Sequence, residues 1–342
     1  MTGGSELVGG YDLVIFDLDG VLYIGDKPVA GAPEAVSRLR KQGVHVVYAT
    51  NNASRAPETV ADVLASFGVP AEPSDVLTSA QAAASVLAQR YESGSAVLVV
   101  GAPALSDQVR RAGLRPVRAA ADGPAAVVQG YGPEVGWASL AEASVAIRAG
   151  AAWVATNTDR TLPSSRGPLP GNGAMVAALA TALDREPDMV VGKPDPGLFE
   201  QAARATAARC SLVVGDRLDT DIEGANRAGM DSVLVLTGIH QPVDVLAAPA
   251  VRRPTYVSDD LDGLFGAAHR MVGEQATWRV EVDGTTLVLD GDGHPLDALA
   301  ALCGARWDDE WWPGAAQVAV RGANAPAQAA VTKLGLDRST RH

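Results

Sequence analysis

Short apolar runs and longer segments with helical spacing alternate along the first part of this 342-residue chain. The runs at 12–16 and 44–50 predict strands, because they are rich in β-branched residues. The segments at 32–42 and 57–67 predict helices, each followed by a glycine that favours helix termination. This alternation predicts an α/β fold in which helices cover both faces of a parallel sheet.

The same alternation continues from residue 81 to residue 188, which is long enough for an inserted α/β domain. We therefore predict a core domain at 1–80 and 189–272, interrupted by a second domain at 81–188. The insert is predicted to hold strands at 96–100, 125–131 and 152–156, and helices at 105–112, 140–149 and 175–183. The rest of the core is predicted to hold strands at 189–194, 211–216 and 232–236, and helices at 196–208, 221–228 and near 259–271.

The tail differs from the rest of the chain and predicts a small α+β module over 276–342. Residues 277–293 alternate in the manner of a hairpin with Asp-Gly turns, and a short helix follows. The strand–strand–helix–strand order resembles part of an acetyltransferase fold, but a glycine-rich pyrophosphate loop is missing, so an inactive module is expected. We interpret Trp307, Trp311 and Trp312 as packing the module onto the core, with a ligand or subunit contact as the alternative.

Composition narrows the possible partners. A formal net charge of −12 argues against nucleic acid and anionic membranes, which select basic surfaces, but not against a small phosphorylated metabolite. No apolar run is long enough to insert into a membrane, and the N-terminus lacks a signal-peptide pattern. Cys210 and Cys303 are widely separated, so a reduced, cytoplasmic setting is expected. A homodimer is the candidate assembly.

Candidate chemistry begins where the first apolar run ends, at Asp17, Asp19 and Gly20. Ligands bind at the carboxyl ends of parallel strands, and residues two apart in an extended segment point the same way. The two carboxylates can therefore face one pocket, where Mg²⁺ is the natural partner for paired hard oxygen ligands. The alternative is a strand-end turn whose acids simply meet water.

Three other predicted strand ends carry polar residues. Thr50, Asn51 and Asn52 could hold a phosphate, although an Asn-rich turn is the simpler interpretation when they are considered alone. Lys193 offers a compact positive charge to an anion, or is an exposed loop lysine. The segment Gly215–Asp221 holds three acids. Helix capping accounts for Asp219 or Asp221, but not for Asp216.

Together these four stretches resemble the haloacid dehalogenase (HAD) superfamily of phosphotransferases. The pattern consists of DxDG at Asp17–Gly20, a threonine after the second strand, a lysine before a proline, and GDxxxTD at Gly215–Asp221. The resemblance implies a Rossmann-like HAD core. It also implies that Asp17 is a nucleophile that forms an aspartyl-phosphate and that Asp19 is the general acid and base.

The resemblance assigns roles to the remaining motif residues. Mg²⁺ would be bound by Asp17, Asp19 and Asp216, with Asp19 contributing its backbone carbonyl and Asp221 supporting the site from behind. Lys193 would neutralise charge between the nucleophile and the phosphate, which Thr50, Asn51 and Asn52 would also bind. Without such cations, attack of a carboxylate on a phosphate would face a repulsion of about 4 kcal/mol per charge pair at about 4 Å and an effective dielectric of about 20.

The position of the insert and the acid at Asp19 narrow the range of activities that the resemblance implies. Dehalogenases lack this second acid and ion-pumping ATPases carry threonine there, so an aspartate implies a phosphatase. An insert after the second motif resembles the type 2 cap of the NagD and p-nitrophenylphosphate phosphatase group. The likeness rests on "ATNTD" and "PGNGA", and implies substrate contacts from Asn157, Asp159 and the loop at Gly171, Asn172 and Gly173. The amide of Asn172 is expected to bond a substrate hydroxyl or carboxylate.

A lid of this kind favours small phosphate monoesters. Overall likeness to actinobacterial phosphatases suggests glycerol 3-phosphate, with 2-phosphoglycolate and pyridoxal phosphate as alternatives. The aromatic residues of the insert, Tyr131, Trp137 and Trp153, leave that choice open. A non-catalytic sensor of a phosphometabolite is a more remote alternative. A mutase is disfavoured, because mutases of this superfamily usually carry a helical cap after the first motif, where this chain has only a short connection.

Overall fold

The computed structural model of the protein describes residues 6–162, 167–273, 277–307 and 318–337. Its largest element is a six-stranded sheet, which we call the core sheet and in which all neighbouring strands are parallel. The spatial order of its strands is Tyr256–Ser258, Asp231–Val235, Ser211–Gly215, Leu13–Phe16, His45–Thr50 and Val76–Thr78. The predicted α/β class with a Rossmann-like parallel sheet is confirmed.

The first strand of the chain lies in the middle of the core sheet, and all four of its residues are buried. Phe16 pairs with Val214 on one side and with Tyr48 on the other, and the two neighbouring strands continue to Gly215 and Thr50, so the three strands end close to one level. The residues that follow these strands, Asp17 among them, therefore meet at one edge. The helices that pack around the core sheet are Ala32–Lys41, Pro57–Ser66, Ser79–Arg90, Gly197–Thr206, Glu223–Arg227 and Pro242–Leu246.

The insert forms a second sheet of five parallel strands. One predicted strand belongs here rather than to the core: Met189–Val190 pairs with Ala152–Ala155 and forms an edge of the second sheet. The order of the strands is Met189–Val190, Ala152–Ala155, Ala126–Gln129, Ala96–Val100 and Arg115–Val117, and the helices are Pro103–Arg111, Trp137–Arg148 and Asn172–Leu183. Short hairpins form at Tyr23–Ile24 with Lys27–Pro28 and at Thr161–Leu162 with Leu169–Pro170.

The tail forms a separate three-stranded sheet, here called the tail sheet. Strands Trp278–Asp283 and Thr286–Gly291 make the predicted hairpin, and Ala319–Gly322 adds in parallel. Helices Pro295–Trp307 and Ala325–Lys333 pack against it. No helix in the described ranges is long and apolar enough to cross a membrane.

The predicted last helix of the core is wrong over most of its length. Only Leu261–Phe265 forms a short 3₁₀ helix, and Arg270 instead makes an isolated bridge to Tyr256 at the edge of the core sheet. Gly263 and Gly266 explain the failure, because glycine costs roughly 1 kcal/mol in a helix interior relative to alanine. The predicted helix at 221–228 likewise starts differently: a wide helical turn, Leu218–Ile222, precedes Glu223–Arg227.

Of the predicted tryptophan contacts, Trp311 and Trp312 lie outside the described residues. The guanidinium of Arg253, which comes from the core, lies 4.9 Å from the ring centroid of Trp307. Trp307 also packs against the apolar cluster that joins the tail to the core. These contacts agree with the interpretation that Trp307 packs the module onto the core.

Two tryptophans of the insert provide a matched test of its packing. Trp153 is fully buried and donates a hydrogen bond from Nε1 to Gln129 Oε1, whereas Trp137 is 84% exposed. We expect Trp153→Ala to lower the free energy of unfolding by about 3–5 kcal/mol, because it leaves a large cavity. Trp137→Ala should change it by less than about 0.5 kcal/mol. Urea denaturation measures both variants, and equal effects would contradict the described packing.

Candidate active site

The first two acids follow the central strand directly. Asp17 N–H donates to Val214 O at 2.9 Å, which ties the residue to the neighbouring strand. Gly20 then turns the chain with a φ of +86°, a conformation that favours glycine. A Cβ at Gly20 would lie 2.4 Å from Asp216 Oδ2, so a side chain here would displace that carboxylate. The glycine of the DxDG pattern therefore serves both the turn and the site.

Lys193 lies at the centre of the site and is almost completely buried, at 3% exposure. Its Nζ donates to Asp17 Oδ1 at 2.5 Å, to Asp221 Oδ1 at 2.7 Å and to Ala49 O at 3.1 Å. Three donors on one ammonium group thus find three acceptors from three separate segments of the chain. The alternative of an exposed loop lysine is excluded by this burial.

The electrostatics of the site follow from burying several charges together. Burial raises the pKa of Asp17, and the adjacent Lys193 ammonium opposes that rise. Burial also raises the pKa of Asp221 to about 6, again opposed by Lys193. Burial alone would lower the pKa of Lys193, but Asp17 and Asp221 raise it well above its ordinary value. The two carboxylates thus favour the charged form of Lys193, and the Lys193 ammonium in turn favours the ionised forms of Asp17 and Asp221.

Asp216 directly follows the core strand Ser211–Gly215, and one of its two carboxylate oxygens accepts a hydrogen bond. Ile239 N–H donates to its Oδ2 at 2.8 Å, while its Oδ1 is buried and has no hydrogen-bond partner among the described residues. Burial, together with the charges of Asp17 and Asp221, raises the pKa of Asp216 to about 8. An unsatisfied buried carboxylate oxygen is costly, and a cation bound at this position would satisfy it.

The acids at Asp17, Asp216 and Asp221 place carboxylate oxygens within 4.8 Å of one another. Of these, Asp221 has both oxygens occupied, by Lys193 Nζ and by the N–H of Arg217 at 3.1 Å. Asp216 has an open oxygen, so the cluster fits a hard divalent cation held through Asp17 and Asp216, with Asp221 behind it. Asp219 is separate from the cluster and forms a two-point ion pair with Arg217.

The three polar residues after the second strand have different environments. Thr50 is buried, and its Oγ1 accepts the N–H of Asn52 at 3.1 Å. Asn52 Oδ1 accepts from both the N–H and the hydroxyl of Ser54, which fixes the turn. Asn51 points its amide at the insert, as described next. These bonds show the Asn-rich turn, and phosphate binding by the same segment stays a prediction.

The loop 157–159 of the insert touches the core at Asn51. Asn51 Nδ2 donates to Asp159 Oδ2 at 3.1 Å and to the backbone carbonyl of Lys193 at 3.0 Å. In return, Asn157 Nδ2 donates to Asn51 O at 2.6 Å. Burial raises the pKa of Asp159, with Arg217 and Asn51 opposing the rise. The insert thus brings a carboxyl group up to the Lys193 cluster.

The glycines at Gly171 and Gly173 bring the start of a helix onto this loop. A Cβ at Gly171 would lie 2.4 Å from Asp159 O, and one at Gly173 would lie 2.1 Å from Thr158 O. Asn172 is buried, and its Nδ2 donates to Asn157 O at 2.7 Å. The Nδ2 group thus supports the loop, because a buried donor must find a nearby acceptor, whereas Oδ1 of the same amide is buried and has no hydrogen-bond partner among the described residues. The expected bond from this amide to a substrate stays a prediction.

Several residues of the site were missed from the sequence. Thr237 donates from its hydroxyl to Gly20 O at 2.6 Å, and Ser79 donates to Asn51 O at 2.6 Å. Ile239 holds Asp216 through its backbone, and Arg55 contributes positive charge near Asp19. Thr237 and Ser79 both follow apolar runs, so their position after such a run could have identified them as site residues. A backbone contact such as that of Ile239 leaves no mark in the sequence.

Family models match three parts of the chain. A model described as "Haloacid dehalogenase-like hydrolase" matches residues 14–115, and a related HAD hydrolase model matches residues 190–264. The tail matches a model described as "GCN5-related N-acetyltransferase like domain" over residues 275–336. The two hydrolase matches contain all four motifs that line the Lys193 cluster.

Comparisons with whole proteins agree with these family matches. The chain is 48% identical over 292 residues to a D-glycerol 3-phosphate phosphatase of Mycobacterium tuberculosis, covering 84% of this chain and 82% of that protein. It is similar to the crystal structure of a glycerol phosphate phosphatase of M. tuberculosis in complex with magnesium (TM-score 0.91, 42% identity, 97% and 99% of the two chains). A 4-nitrophenylphosphatase of Thermotoga maritima matches with a TM-score of 0.70 and 29% identity, covering 75% and 97%.

The raised pKa of Asp216 predicts how the stability of the metal-free protein depends on pH. Its ordinary value is 3.8 and its value in the folded protein is about 8, so ionisation costs more in the folded than in the unfolded state. Asp216 therefore lowers the free energy of unfolding progressively from about pH 4 to about pH 8. Asp216→Asn lacks this effect, and its stability relative to wild type should rise by at least about 1 kcal/mol across that window.

Chemical denaturation in EDTA at pH 5, 7 and 9 measures this difference. Asp219→Asn serves as the control, since its carboxylate is paired with Arg217 and its pKa is lowered, although burial opposes that shift. A stability difference between wild type and Asp216→Asn that is constant over this pH range would contradict the assigned environment of Asp216.

Proposed function

Because this chain belongs to the haloacid dehalogenase-like hydrolases and is a phosphoric monoester hydrolase, we propose that it hydrolyses glycerol 3-phosphate to glycerol and phosphate, with Mg²⁺ as cofactor. The observation that carries the proposal is the buried Lys193 ammonium between Asp17 and Asp221, beside the open oxygen of Asp216. The similarity to the mycobacterial glycerol phosphate phosphatases supports the choice of substrate and metal.

In this proposal Asp17 is the nucleophile. Its carboxylate attacks phosphorus, the bond to the glycerol oxygen breaks, and an aspartyl-phosphate forms. Lys193 keeps Asp17 ionised and offsets repulsion between the carboxylate and the phosphate, whose oxygens bind at Thr50, Asn51 and Asn52. Bound by Asp17, the backbone carbonyl of Asp19 and Asp216, Mg²⁺ would supply further positive charge and hold the phosphate in line.

Asp19 acts as the acid and then as the base. Burial raises its pKa, with Arg55 and Lys193 opposing the rise, which favours the protonated form more than in an exposed aspartate. Asp19 gives that proton to the leaving oxygen of glycerol. It then takes a proton from water, which attacks phosphorus, releases phosphate and regenerates Asp17. One side chain thus serves both half-reactions.

The insert supplies substrate selection in this proposal. Asp159 supplies the carboxyl group that the loop 157–159 brings to the Lys193 cluster, and Asn51 Nδ2 donates to it at 3.1 Å. A carboxylate accepts hydrogen bonds from the two hydroxyls of glycerol, whereas it repels the carboxylate of 2-phosphoglycolate. Pyridoxal phosphate is disfavoured for a different reason: Trp153 is wholly buried in the insert and Trp137 points outward, so neither can stack on a ring in the site.

Two further features stay part of the proposal. The thiols of Cys210 and Cys303 are both free, which supports a reduced, cytoplasmic setting. A homodimer, with a small phosphorylated metabolite as the only other partner, remains a prediction. Sedimentation velocity would measure the assembly.

Asp17→Asn tests the nucleophile. We expect phosphate release from glycerol 3-phosphate in Mg²⁺ to fall by about 10⁴-fold or more, because the amide cannot attack phosphorus. Asp12→Asn is a matched control at the other end of the same strand, where the carboxylate only accepts the N–H groups of Arg209 and Cys210. That variant should retain wild-type activity. If wild type and Asp17→Asn were equally inactive on every monoester, the non-catalytic sensor would replace the phosphatase.

Asp159→Asn tests the selection against anionic substrates. At an effective dielectric of about 20, two unit charges about 8 Å apart repel by about 2 kcal/mol, so removing one should favour an acidic substrate. We expect the ratio of kcat/KM for 2-phosphoglycolate to that for glycerol 3-phosphate to rise by about 30-fold. Asp122→Asn, an exposed acid elsewhere on the insert, should leave the ratio unchanged.

Turnover of p-nitrophenyl phosphate by the Asp159→Asn variant separates selection from damage to the site. The leaving group of p-nitrophenyl phosphate carries no carboxylate. The kcat/KM for this substrate should therefore change much less than the ratio of kcat/KM for 2-phosphoglycolate to that for glycerol 3-phosphate. A uniform loss on all three substrates would assign Asp159 to the general architecture of the site instead.

A further inference from the structure

The loop Thr237–Gln241 holds the end of the site where the open carboxylate oxygen lies. Ile239 N–H donates to the carboxylate of Asp216, and His240 N–H donates to the backbone carbonyl of Asp216 at 3.3 Å. The loop therefore holds both the side chain and the backbone of Asp216. A Cβ at Gly238 would lie 2.0 Å from Asp216 Oδ2, which shows how tightly the loop presses on the acid. His240 Nδ1 also accepts the N–H of Leu218, at the start of the segment that carries Asp221.

This loop continues directly into the short helix Pro242–Leu246, and that helix packs against Pro295–Trp307 of the tail. Val245 and Leu246 are buried in one apolar cluster with residues from the tail sheet and both tail helices. The same cluster contains Leu218 and Ile222, which flank Asp221. The back of the acidic segments is thus closed by the tail rather than by the core alone.

The tail is fixed to the core at further points. His269, at the end of the core, stacks on His294 of the tail with ring centroids 4.2 Å apart. Its Nδ1 lies 2.8 Å from Asp297 Oδ1, at the start of the tail helix. With the Arg253 contact to Trp307, these interactions hold the tail helix in one position against Pro242–Leu246.

We propose that the C-terminal module is a positioning element for the metal-binding acids: by packing on Val245 and Leu246 it fixes the loop Thr237–Gln241, and through the loop it fixes Asp216. This inference rests on the proposed Mg²⁺ site. It gives the module a role that needs no acetyl transfer. Groups behind metal ligands commonly change metal affinity by 10–100-fold when altered, and the tail lies one layer farther out.

Leu246→Ala in the full-length protein tests this role, with Leu336→Ala as the matched control. Both leucines are nearly buried members of the same cluster, but Leu336 follows the last helix, which packs on the tail sheet and on Pro295–Trp307. Both variants should lower Tm. Only Leu246→Ala should weaken Mg²⁺ binding, by about 3–10-fold in Kd, when Mg²⁺ is titrated calorimetrically into metal-free protein. Leu336→Ala should change Kd by less than about 2-fold.

Unchanged Mg²⁺ binding in Leu246→Ala, or equal weakening in both variants, would overturn the proposal. If Leu246→Ala fails to fold, Leu246→Val removes less volume and is compared with Leu336→Val by the same criterion. Turnover of glycerol 3-phosphate by wild type, measured in parallel, tests the proposed function separately. An active wild type combined with an unaffected Leu246 variant refutes only the role of the tail. A wild type that binds no Mg²⁺ refutes both.

Discussion

The site depends on one buried ammonium group between two carboxylates. Asp17 and Asp221 are both removed from water, and neither could stay ionised there without Lys193. Removing one partner of such a buried pair typically destabilises a protein by about 3–5 kcal/mol, because an uncompensated charge remains. Two neighbouring core strands lead to Asp17 and to the segment of Asp221, and a strand of the second sheet leads to Lys193, so the fold brings these groups within hydrogen-bond distance from distant parts of the chain.

The position of Lys193 also depends on the second sheet. The strand that leads to the lysine, Met189–Val190, pairs with Ala152–Ala155, and Val191 N–H donates to Ala155 O at 3.1 Å. The loop 157–159 leaves the same strand and bonds to Asn51, which in turn bonds to the Lys193 carbonyl. A Cβ on Gly192 would lie 2.4 Å from Thr156 O and 2.6 Å from Asn51 Oδ1. The buried ammonium of Lys193 and the loop 157–159 therefore share one structural support.

The sequence was informative where side-chain type and strand position coincide. Asp17 and Asp216 could be located because each follows a run of apolar, β-branched residues, and strand ends gather at one edge of a parallel sheet. Lys193 also follows an apolar run, but that strand belongs to the second sheet. The orientation of an amide is different. The bond from Asn172 Nδ2 to Asn157 O is set by tertiary contacts that no local pattern encodes. The pairing of Met189–Val190 with the second sheet and the support of Asp216 by Ile239 could not be predicted for the same reason.

The strand order has a consequence for how the protein is made. Leu13–Phe16 pairs with Ser211–Gly215, nearly two hundred residues farther along, whereas the five strands of the second sheet lie in one continuous stretch between Ala96 and Val190. During synthesis the second sheet can be completed first, while the strand that carries Asp17 still lacks one neighbour. The ribosome must therefore release the later segments before Asp17 acquires its full surroundings, and the tail that packs behind Asp216 is synthesised after every strand of the core sheet.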